Sequence, residues 1–142
     1  MAFFDSEKSV FQIDDTGSTL RNLSAYINDF GGLPGPRQLS EITALGDGGT
    51  KWHPSLENVQ ISLAGTYDDT ASSGPDEVLG ALRTHSRAND FDYGPEGSSA
   101  SSTKYSGTCW VSTYEIQSRV GDAVRWSATL QVEGEVTRGT YS

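Results

Sequence analysis

The strongest constraint on the fold of this chain is a strict alternation of apolar and polar residues near its C-terminus. Between Val124 and Glu133, apolar side chains occupy every second position, and Arg, Ser, Thr, Gln and Glu occupy the positions between them. A period of two is typical of a strand with one buried and one solvated face. The sequence therefore predicts a strand whose buried face carries Val124, Trp126, Ala128, Leu130 and Val132.

A second alternating segment directly precedes this strand. The turn residues Gly121-Asp122 separate the two segments, which together predict a long β-hairpin. Gly134 is expected to end the second strand, before a short strand at 135–138. In the first strand the predicted apolar face consists of Trp110, Tyr114, Ile116 and Val120.

Further elements are predicted upstream of the hairpin. Strands are expected at 9–13 and at 56–67, the latter burying Val59, Ile61, Leu63 and Gly65. Leu20, Leu23, Ile27 and Phe30 recur at helical spacing and predict a short helix. Residues 1–7 are expected to form a loose arm, and 89–103 a loop that includes a short strand at 91–93.

One flanking helix is predicted at about 75–87, after a loop at 68–74. Pro75 suits the first helical position, and Asp76 and Glu77 suit the positive end of the helix dipole. The expected buried stripe of this helix is Val78, Leu79 and Leu82.

Residues 31–55 form a glycine-rich and proline-rich stretch that predicts a long loop with at most one strand, at 39–45. The segment Trp52-His53-Pro54 is expected to be a rigid, exposed turn. Loops of this length are usually functional or disordered. We expect this one to make assembly contacts through exposed apolar side chains, namely Leu33, Leu39 and Trp52.

Composition limits the function classes. With 142 residues the chain fits a single domain. Its formal net charge of −9 argues against binding to nucleic acid or to an anionic membrane through a basic patch. One cysteine, Cys109, allows no internal disulfide, and a buried, inert thiol is expected. The N-terminal residues lack the pattern of a signal peptide, so we expect folding in a cytoplasm.

Motifs for catalysis, metal binding or cofactor binding are weak, and we expect no enzyme activity, no metal site and no cofactor. His53 and His85 have no cysteine or carboxylate at metal spacing. The segment 46–51 lacks the Gly-Lys-Ser/Thr order of a phosphate loop, which makes a turn the better interpretation. An acidic surface loop is a better interpretation of Asp90, Asp92 and Glu96 than a calcium site.

Several short segments, taken in their order along the chain, form a recognisable set. They are Leu20-Arg21-Asn22-Leu23-Ser24-Ala25-Tyr26-Ile27, Gly32-Leu33-Pro34-Gly35, Thr43-Ala44-Leu45-Gly46-Asp47 with Gly49, Gly65-Thr66-Tyr67-Asp68-Asp69, Gly121-Asp122, Ser127-Ala128-Thr129-Leu130-Gln131, Gly134 and Val136-Thr137-Arg138-Gly139-Thr140. In this order the segments resemble the tail-tube (major tail) proteins of long-tailed bacteriophages, and the resemblance is sharpest at the C-terminus. Ser55 departs from that pattern, which has glycine there.

This resemblance implies a mainly β fold, a β-sandwich or barrel of the tail-tube type with one flanking helix, and a structural role without catalysis. It implies hexameric rings stacked into a virion tail tube, assembled in the bacterial cytoplasm around a tape-measure protein. It also implies contacts with a tail terminator and a distal tail protein, and passage of DNA without specific binding. The lumen would be lined by solvated strand faces, for which the candidates are Glu57, Asn58, Gln60, Ser62, Gln131 and Glu133.

Two alternatives remain open at this point. The same fold serves tail terminator and connector proteins, which cap or join a tube. A carbohydrate-binding β-sandwich module is the alternative from a different class, since an exposed aromatic side chain such as Trp52 can stack on a sugar ring.

Overall fold

The structure is a computed structural model that describes residues 6–68 and 74–142. Residues 1–5 of the predicted arm and 69–73 of the predicted loop lie outside the described residues. Short 3₁₀ turns occupy Ser6–Lys8 and Ser24–Tyr26, and a short π-helical segment occupies Asp76–Gly80. The strands are β1 (Val10–Asp14), β2 (Leu20–Asn22), β3 (Ile27–Gly31), β4 (Arg37–Glu41), β5 (Trp52–Glu57), β6 (Gln60–Thr66), β7 (Asn89–Gly94), β8 (Thr103–Gln117) and β9 (Arg125–Thr140).

Seven strands form one antiparallel sheet in the order β2-β1-β7-β8-β9-β6-β3, and β4 and β5 form a separate pair. The large sheet curls, and aromatic side chains of its edge strand β3 contact those of β1 and β7 near the opposite edge. Phe30 on β3 lies 5.2 Å from Phe11 on β1 and 4.2 Å from Tyr93 on β7, measured between ring centroids. The result is a half-barrel around one hydrophobic core, which confirms the mainly β prediction.

The strand predicted from the alternating C-terminal residues lies at the centre of this sheet and buries its apolar face as expected. β9 pairs with β6 in a register that sets Leu130 opposite Ile61 and Ala128 opposite Leu63. Trp126 is 1% exposed, and its indole N–H donates to the Thr66 carbonyl oxygen at 3.1 Å. The prediction is wrong at Val124, which is exposed because β9 begins one residue later, at Arg125.

The face assigned to β8 is wrong at Trp110. Cys109 and Val111 occupy the core positions, so Trp110 lies on the solvated face and is 36% exposed. A shift in register between Val111 and Thr113 returns Tyr114 to the core side, where its ring contacts that of Trp126. Ile116 and Val120, also assigned to the apolar face, are exposed.

Gly134 does not end β9. The pairing moves from Thr108–Glu133 directly to Ser106–Thr137, so the residues after Glu133 form a bulge. Gly134 adopts a φ of 78°, which glycine tolerates without strain, and the strand continues to Thr140. The predicted short strand at 135–138 is therefore the second half of one long strand.

The helix predicted from the spacing of Leu20, Leu23, Ile27 and Phe30 is wrong. β2, a 3₁₀ turn and β3 occupy this stretch instead. Leu23 is buried and Leu20 is exposed, so the four residues do not share one face. The strand predicted at 91–93 is confirmed and extends to the full length of β7.

The flanking helix is confirmed but is shorter than predicted, with helical backbone at 75–82 instead of 75–87. Its predicted stripe of Val78, Leu79 and Leu82 is fully buried against the core. Asp76 at its start accepts a hydrogen bond from the Tyr114 hydroxyl at 3.1 Å. No helix among the described residues is long and apolar enough to span a membrane.

Candidate assembly surfaces

The stretch predicted as a long loop at 31–55 contains most of a separate β-hairpin. β4 and β5 pair antiparallel, and all their residues are exposed except Glu57, which is half-buried. The turn predicted at Trp52-His53-Pro54 is thus the beginning of a strand. We refer to residues 37–57 as the outer hairpin.

The outer hairpin is amphipathic although it is not buried. Its register sets Leu39 opposite Pro54, Ser40 opposite His53 and Glu41 opposite Trp52. Because neighbouring residues of a strand point to opposite faces and cross-strand partners share a face, one face carries Leu39, Trp52, Pro54 and Leu56, with Glu41 as its charged member. Leu39 and Trp52 are each 54% exposed, and Leu56 is 82% exposed. This apolar face has no cover among the described residues, which favours contact with another molecule.

A tight glycine turn joins the outer hairpin to the core. Gly32 adopts a φ of 110°, and a Cβ built there would collide with the backbone of Gln60. Gly35 adopts a φ of 85°, and a Cβ there would lie 2.7 Å from a methyl group of Val59. Leu33, which was predicted to be exposed, is half-buried and packs against the core. This turn, residues 32–36, is called the neck below and lies close against Val59 and Gln60.

The far end of the outer hairpin is closed by its own polar contacts. The Asp47 carboxylate accepts a hydrogen bond from the Ala44 N–H at 2.6 Å and pairs with the Lys51 ammonium at 3.0 Å. The hydrogen bond from the Ala44 backbone is the larger of two causes that hold the pKa of Asp47 below its usual range, and the contact with Lys51 is the smaller. Leu45, at the apex, is completely exposed.

The solvated faces of β6 and β9 form a continuous polar surface. The Gln131 side chain accepts a hydrogen bond from Gln60 at 3.0 Å and donates one to Asn58 at 2.9 Å. Ser62 and Glu133 are exposed on the same strands. Five of the six residues predicted for the lumen therefore lie on or beside one surface, which also carries Trp110 opposite Gln131.

Glu57, the sixth residue predicted for the lumen, lies on the outer hairpin and not on the polar surface of β6 and β9. It ends β5 and pairs with Arg37 across the outer hairpin. The sequence prediction placed it on the same strand as Gln60, but the chain leaves one sheet and enters the other between these two positions.

The outer surface of β1 and β7 is acidic. Burial raises the pKa of Asp14, and the nearby charges of Asp90 and Asp15 raise it further. The Tyr141 hydroxyl donates to Asp92 at 2.8 Å, and burial together with this bond raises the pKa of Tyr141. Within residues 6–68 and 74–142, no group of three His, Cys, Asp or Glu side chains could hold a metal ion.

Neither the cysteine nor the histidines form a reactive arrangement in the described part of the chain. Burial raises the pKa of the Cys109 thiol to about 12, so the thiol is neutral at physiological pH. His85 Nδ1 lies 2.9 Å from the Asn89 side-chain oxygen, and His53 is exposed on the polar face of the outer hairpin. The buried thiol agrees with the sequence prediction.

Comparison with known proteins finds similarity in structure alone. No protein-family model and no curated protein sequence matches the chain. Among solved structures, the tail of an empty gene transfer agent particle, refined with C6 symmetry, is similar with a TM-score of 0.75 at 12% identity, covering 97% of this chain and 100% of that chain. The SPP1 tail tube is similar with a TM-score of 0.73 at 12% identity, covering 99% of this chain and 81% of that chain.

A third similar structure is the sheath/tube terminator of an extracellular contractile injection system. Its TM-score is 0.70 at 11% identity, with 99% of each chain covered. Sequence identities this low establish a shared fold and leave function to be argued from surfaces. The chain thus has the tail-tube fold, as its sequence predicted.

Proposed function

We propose that this protein is a structural subunit that polymerises into the tube of a phage-type tail, as hexameric rings stacked on one another. The observation that carries the proposal is the outer hairpin, whose apolar face is exposed in the single chain. The tail-tube fold supports it, because this fold occurs in the C6-symmetric tail of a gene transfer agent particle. No catalytic role is proposed.

In this proposal the outer hairpin provides the contact between rings. Burying Leu39, Trp52 and Leu56 against a second copy would remove apolar surface from water and stabilise the assembly. The neck, held against Val59 and Gln60, presents every hairpin in the same direction. A repeated, fixed projection of this kind suits a regular polymer.

The polar surface of β6 and β9 is proposed to line the lumen. Asn58, Gln60, Ser62 and Gln131 are uncharged, and Glu133 is acidic. Six copies at −9 each would carry a formal charge of about −54, which repels DNA phosphates. A wall of this kind would let DNA pass during ejection without binding it, and would surround the tape-measure protein during assembly.

The remaining partners follow from the same proposal. A tube ends in contacts with a tail terminator and a distal tail protein, and the assembled protein would lie in the virion tail after assembly in the bacterial cytoplasm. A terminator role for this chain is the second candidate, because the fold is also similar to a terminator over 99% of its length. A terminator would form single rings that do not stack on themselves.

Negative-stain electron microscopy of the purified protein at high concentration tests the proposal. Stacked rings or tubes are expected, and isolated rings would favour the terminator. Monodisperse monomers that bind glycans on an array would support the carbohydrate-binding alternative, for which both Trp52 and Trp110 are exposed.

A matched pair of variants separates the assembly contact from general damage to the outer hairpin. Trp52→Ser removes an apolar side chain, whereas His53→Ser changes the neighbouring residue on the polar face. We expect tubes from His53→Ser and none from Trp52→Ser. Normal tubes from Trp52→Ser would show that the apolar face is not the contact.

A further inference from the structure

One large aromatic side chain lies exposed within the polar surface that β8 shares with β6 and β9. Trp110 is 36% exposed and pairs with Gln131 across β8 and β9. In the described part of the chain, no cation lies over its ring. Tryptophan combines a large apolar ring with one polar atom, and this makes it common at the centre of interaction surfaces. The ring of Trp110 is therefore available to a partner.

The polar side chains around Trp110 give their hydrogen-bond donors to the sheet. Thr108 and Ser112, two residues to either side of Trp110 along β8, donate to backbone carbonyl oxygens of β9 at 3.2 and 3.0 Å. The side-chain amide of Gln131 donates to the Asn58 side-chain oxygen at 2.9 Å. The hydroxyl oxygens can still accept, so a ligand above the indole ring meets acceptors in place of donors.

Two carboxylates lie diagonally from Trp110. Thr108 pairs with Asp90 on one side and with Glu133 on the other, and both acids are exposed. Within residues 6–68 and 74–142, neither carboxylate forms an ion pair. Diagonal neighbours in an antiparallel sheet are about 7–8 Å apart, which is within reach of a long side chain. A group that lies on the indole ring could thus extend to both carboxylates.

This combination distinguishes between classes of ligand. A sugar presents hydroxyl groups, which need donors as well as acceptors from the protein. A nucleic acid would bring phosphate groups towards Asp90 and Glu133, on a chain whose formal charge is already −9. The guanidinium group of arginine is planar, positively charged and carries only donors. It can stack on an indole ring and donate to carboxylates at the same time.

We propose that Trp110, Asp90 and Glu133 form a binding site for an arginine side chain of a partner polypeptide. The guanidinium group would lie over the indole ring and direct its N–H groups to the two carboxylates. The inference deepens the proposed function and rests on it for the position of the partner. Because this surface is proposed to line the lumen, a polypeptide held inside the tube would present arginines to the wall.

Nuclear magnetic resonance of the isotope-labelled, unassembled protein tests the site through the indole N–H signals. The probe is acetyl-Gly-Arg-Gly-amide, and its matched control contains citrulline, which has the shape of arginine without the charge. We expect the arginine peptide to shift the signal of Trp110 and to leave that of the buried Trp126 unchanged. The citrulline peptide should bind about fivefold more weakly, because it loses both the cation–π contact and the ion pairs.

Matched variants separate the site from a general attraction to an acidic chain. Glu133→Gln removes one carboxylate of the site, whereas Glu115→Gln removes an exposed carboxylate elsewhere on β8. The first variant should bind the arginine peptide about threefold more weakly, and the second should bind it as the wild type does. Trp110→Leu keeps an apolar side chain and should lose the preference for arginine over citrulline, measured from the backbone signals of Thr108 and Gln131.

Several results would overturn the site. They are equal binding of the two peptides, equal weakening by the two glutamine variants, a shift at Trp52 instead of Trp110, and a shift of Trp110 by cellotetraose but not by the arginine peptide. Wild-type tubes from a protein that does not bind the arginine peptide would overturn the site and leave the proposed function standing. Arginine binding at Trp110 by a protein that forms no tubes would support the site and overturn the proposed function.

Discussion

The β8–β9 hairpin and the outer hairpin are both antiparallel strand pairs, but they differ in what their faces contact. In the β8–β9 hairpin, one face carries Trp126, Leu130 and Val132 into the core. In the outer hairpin, both faces are exposed although one of them is apolar. Both pairs contain a shift in register, so regularity of pairing does not distinguish them.

The difference separates stability from assembly. Apolar surface that is buried within the chain contributes to the free energy of folding, whereas apolar surface that stays exposed can contribute only when another molecule covers it. We therefore expect substitutions in the β8–β9 hairpin to change unfolding, and substitutions on the apolar face of the outer hairpin to change polymerisation.

The largest expected effect compares two tryptophans. Trp126→Ala removes a fully buried indole and its hydrogen bond to Thr66, and should lower the free energy of unfolding by about 3–5 kcal/mol. Trp52→Ala removes an indole that is 54% exposed and should change the free energy of unfolding by less than about 0.5 kcal/mol. Urea denaturation of the two variants at low protein concentration measures both values. Equal losses of unfolding free energy in the two variants would show that the two hairpins do not differ in their contribution to stability.

Sequence predicted the buried hairpin strand well for a physical reason. A strand with one core face must alternate, because a slip of one residue would expose every buried side chain. Trp126, Ala128, Leu130 and Val132 obey this rule and were found buried. Trp110 was assigned wrongly because the bulge after Val111 changes which residues face the core, and no local pattern marks that bulge.

The outer hairpin was harder to predict because burial does not enforce its pattern. A signal was nevertheless present, since Trp52, Pro54 and Leu56 alternate, but proline and the flanking glycines favoured a loop interpretation. Of the three residues predicted for the assembly contact, Leu39 and Trp52 are exposed in the outer hairpin, whereas Leu33 belongs to the neck. The contact itself stays a prediction. The helical spacing from Leu20 to Phe30 was misleading because this stretch is divided between β2, a 3₁₀ turn and β3.

A substitution in the neck, which joins the outer hairpin to the core, should change the free energy of unfolding by an intermediate amount. Gly35→Ala combines a positive φ with a Cβ 2.7 Å from Val59, and should cost about 1–3 kcal/mol of unfolding free energy. Gly46→Ala, in the outer hairpin, also has a positive φ, but nothing lies within 4 Å of the new Cβ. The difference between the two variants in urea denaturation measures the contacts of the new Cβ with Val59 and with the Gly32 carbonyl oxygen. Equal stability would show that the neck is not held tightly against the core.

A pH dependence gives a smaller test of the buried region. In the folded protein the Cys109 pKa is raised from 9.0 to about 12 by burial, so the unfolded chain ionises first. The stabilisation is fully present below about pH 9 and is lost as the pH rises towards 12, with a slope of at most about 1.4 kcal/mol per pH unit. Cys109→Ala should remove this component when unfolding free energies are compared at about pH 8 and about pH 10.

The control for that test is a thiol in the outer hairpin. Ser40→Cys in the Cys109→Ala background places a cysteine on an exposed strand, where the pKa should be ordinary in both states. The difference between this variant and Cys109→Ala should not change with pH. The half-buried Tyr114 and Tyr141 are common to all three proteins, so their titration cancels in the comparison.

The smallest expected effect on stability is also the most informative about function. Leu39→Ser/Trp52→Ser removes two side chains from the apolar face of the outer hairpin, and each is already 54% exposed in the single chain. The melting temperature of the unassembled protein should therefore be close to that of the wild type, while sedimentation of tubes should be lost. Loss of both properties would mean that the outer hairpin contributes to folding, and the division between a stabilising and an assembling hairpin would fail. If the variant keeps both its melting temperature and its tubes, the outer hairpin still contributes little to stability, but Leu39 and Trp52 do not form the contact between rings. Leu45 at the hairpin apex, which is completely exposed, is then the next position to substitute.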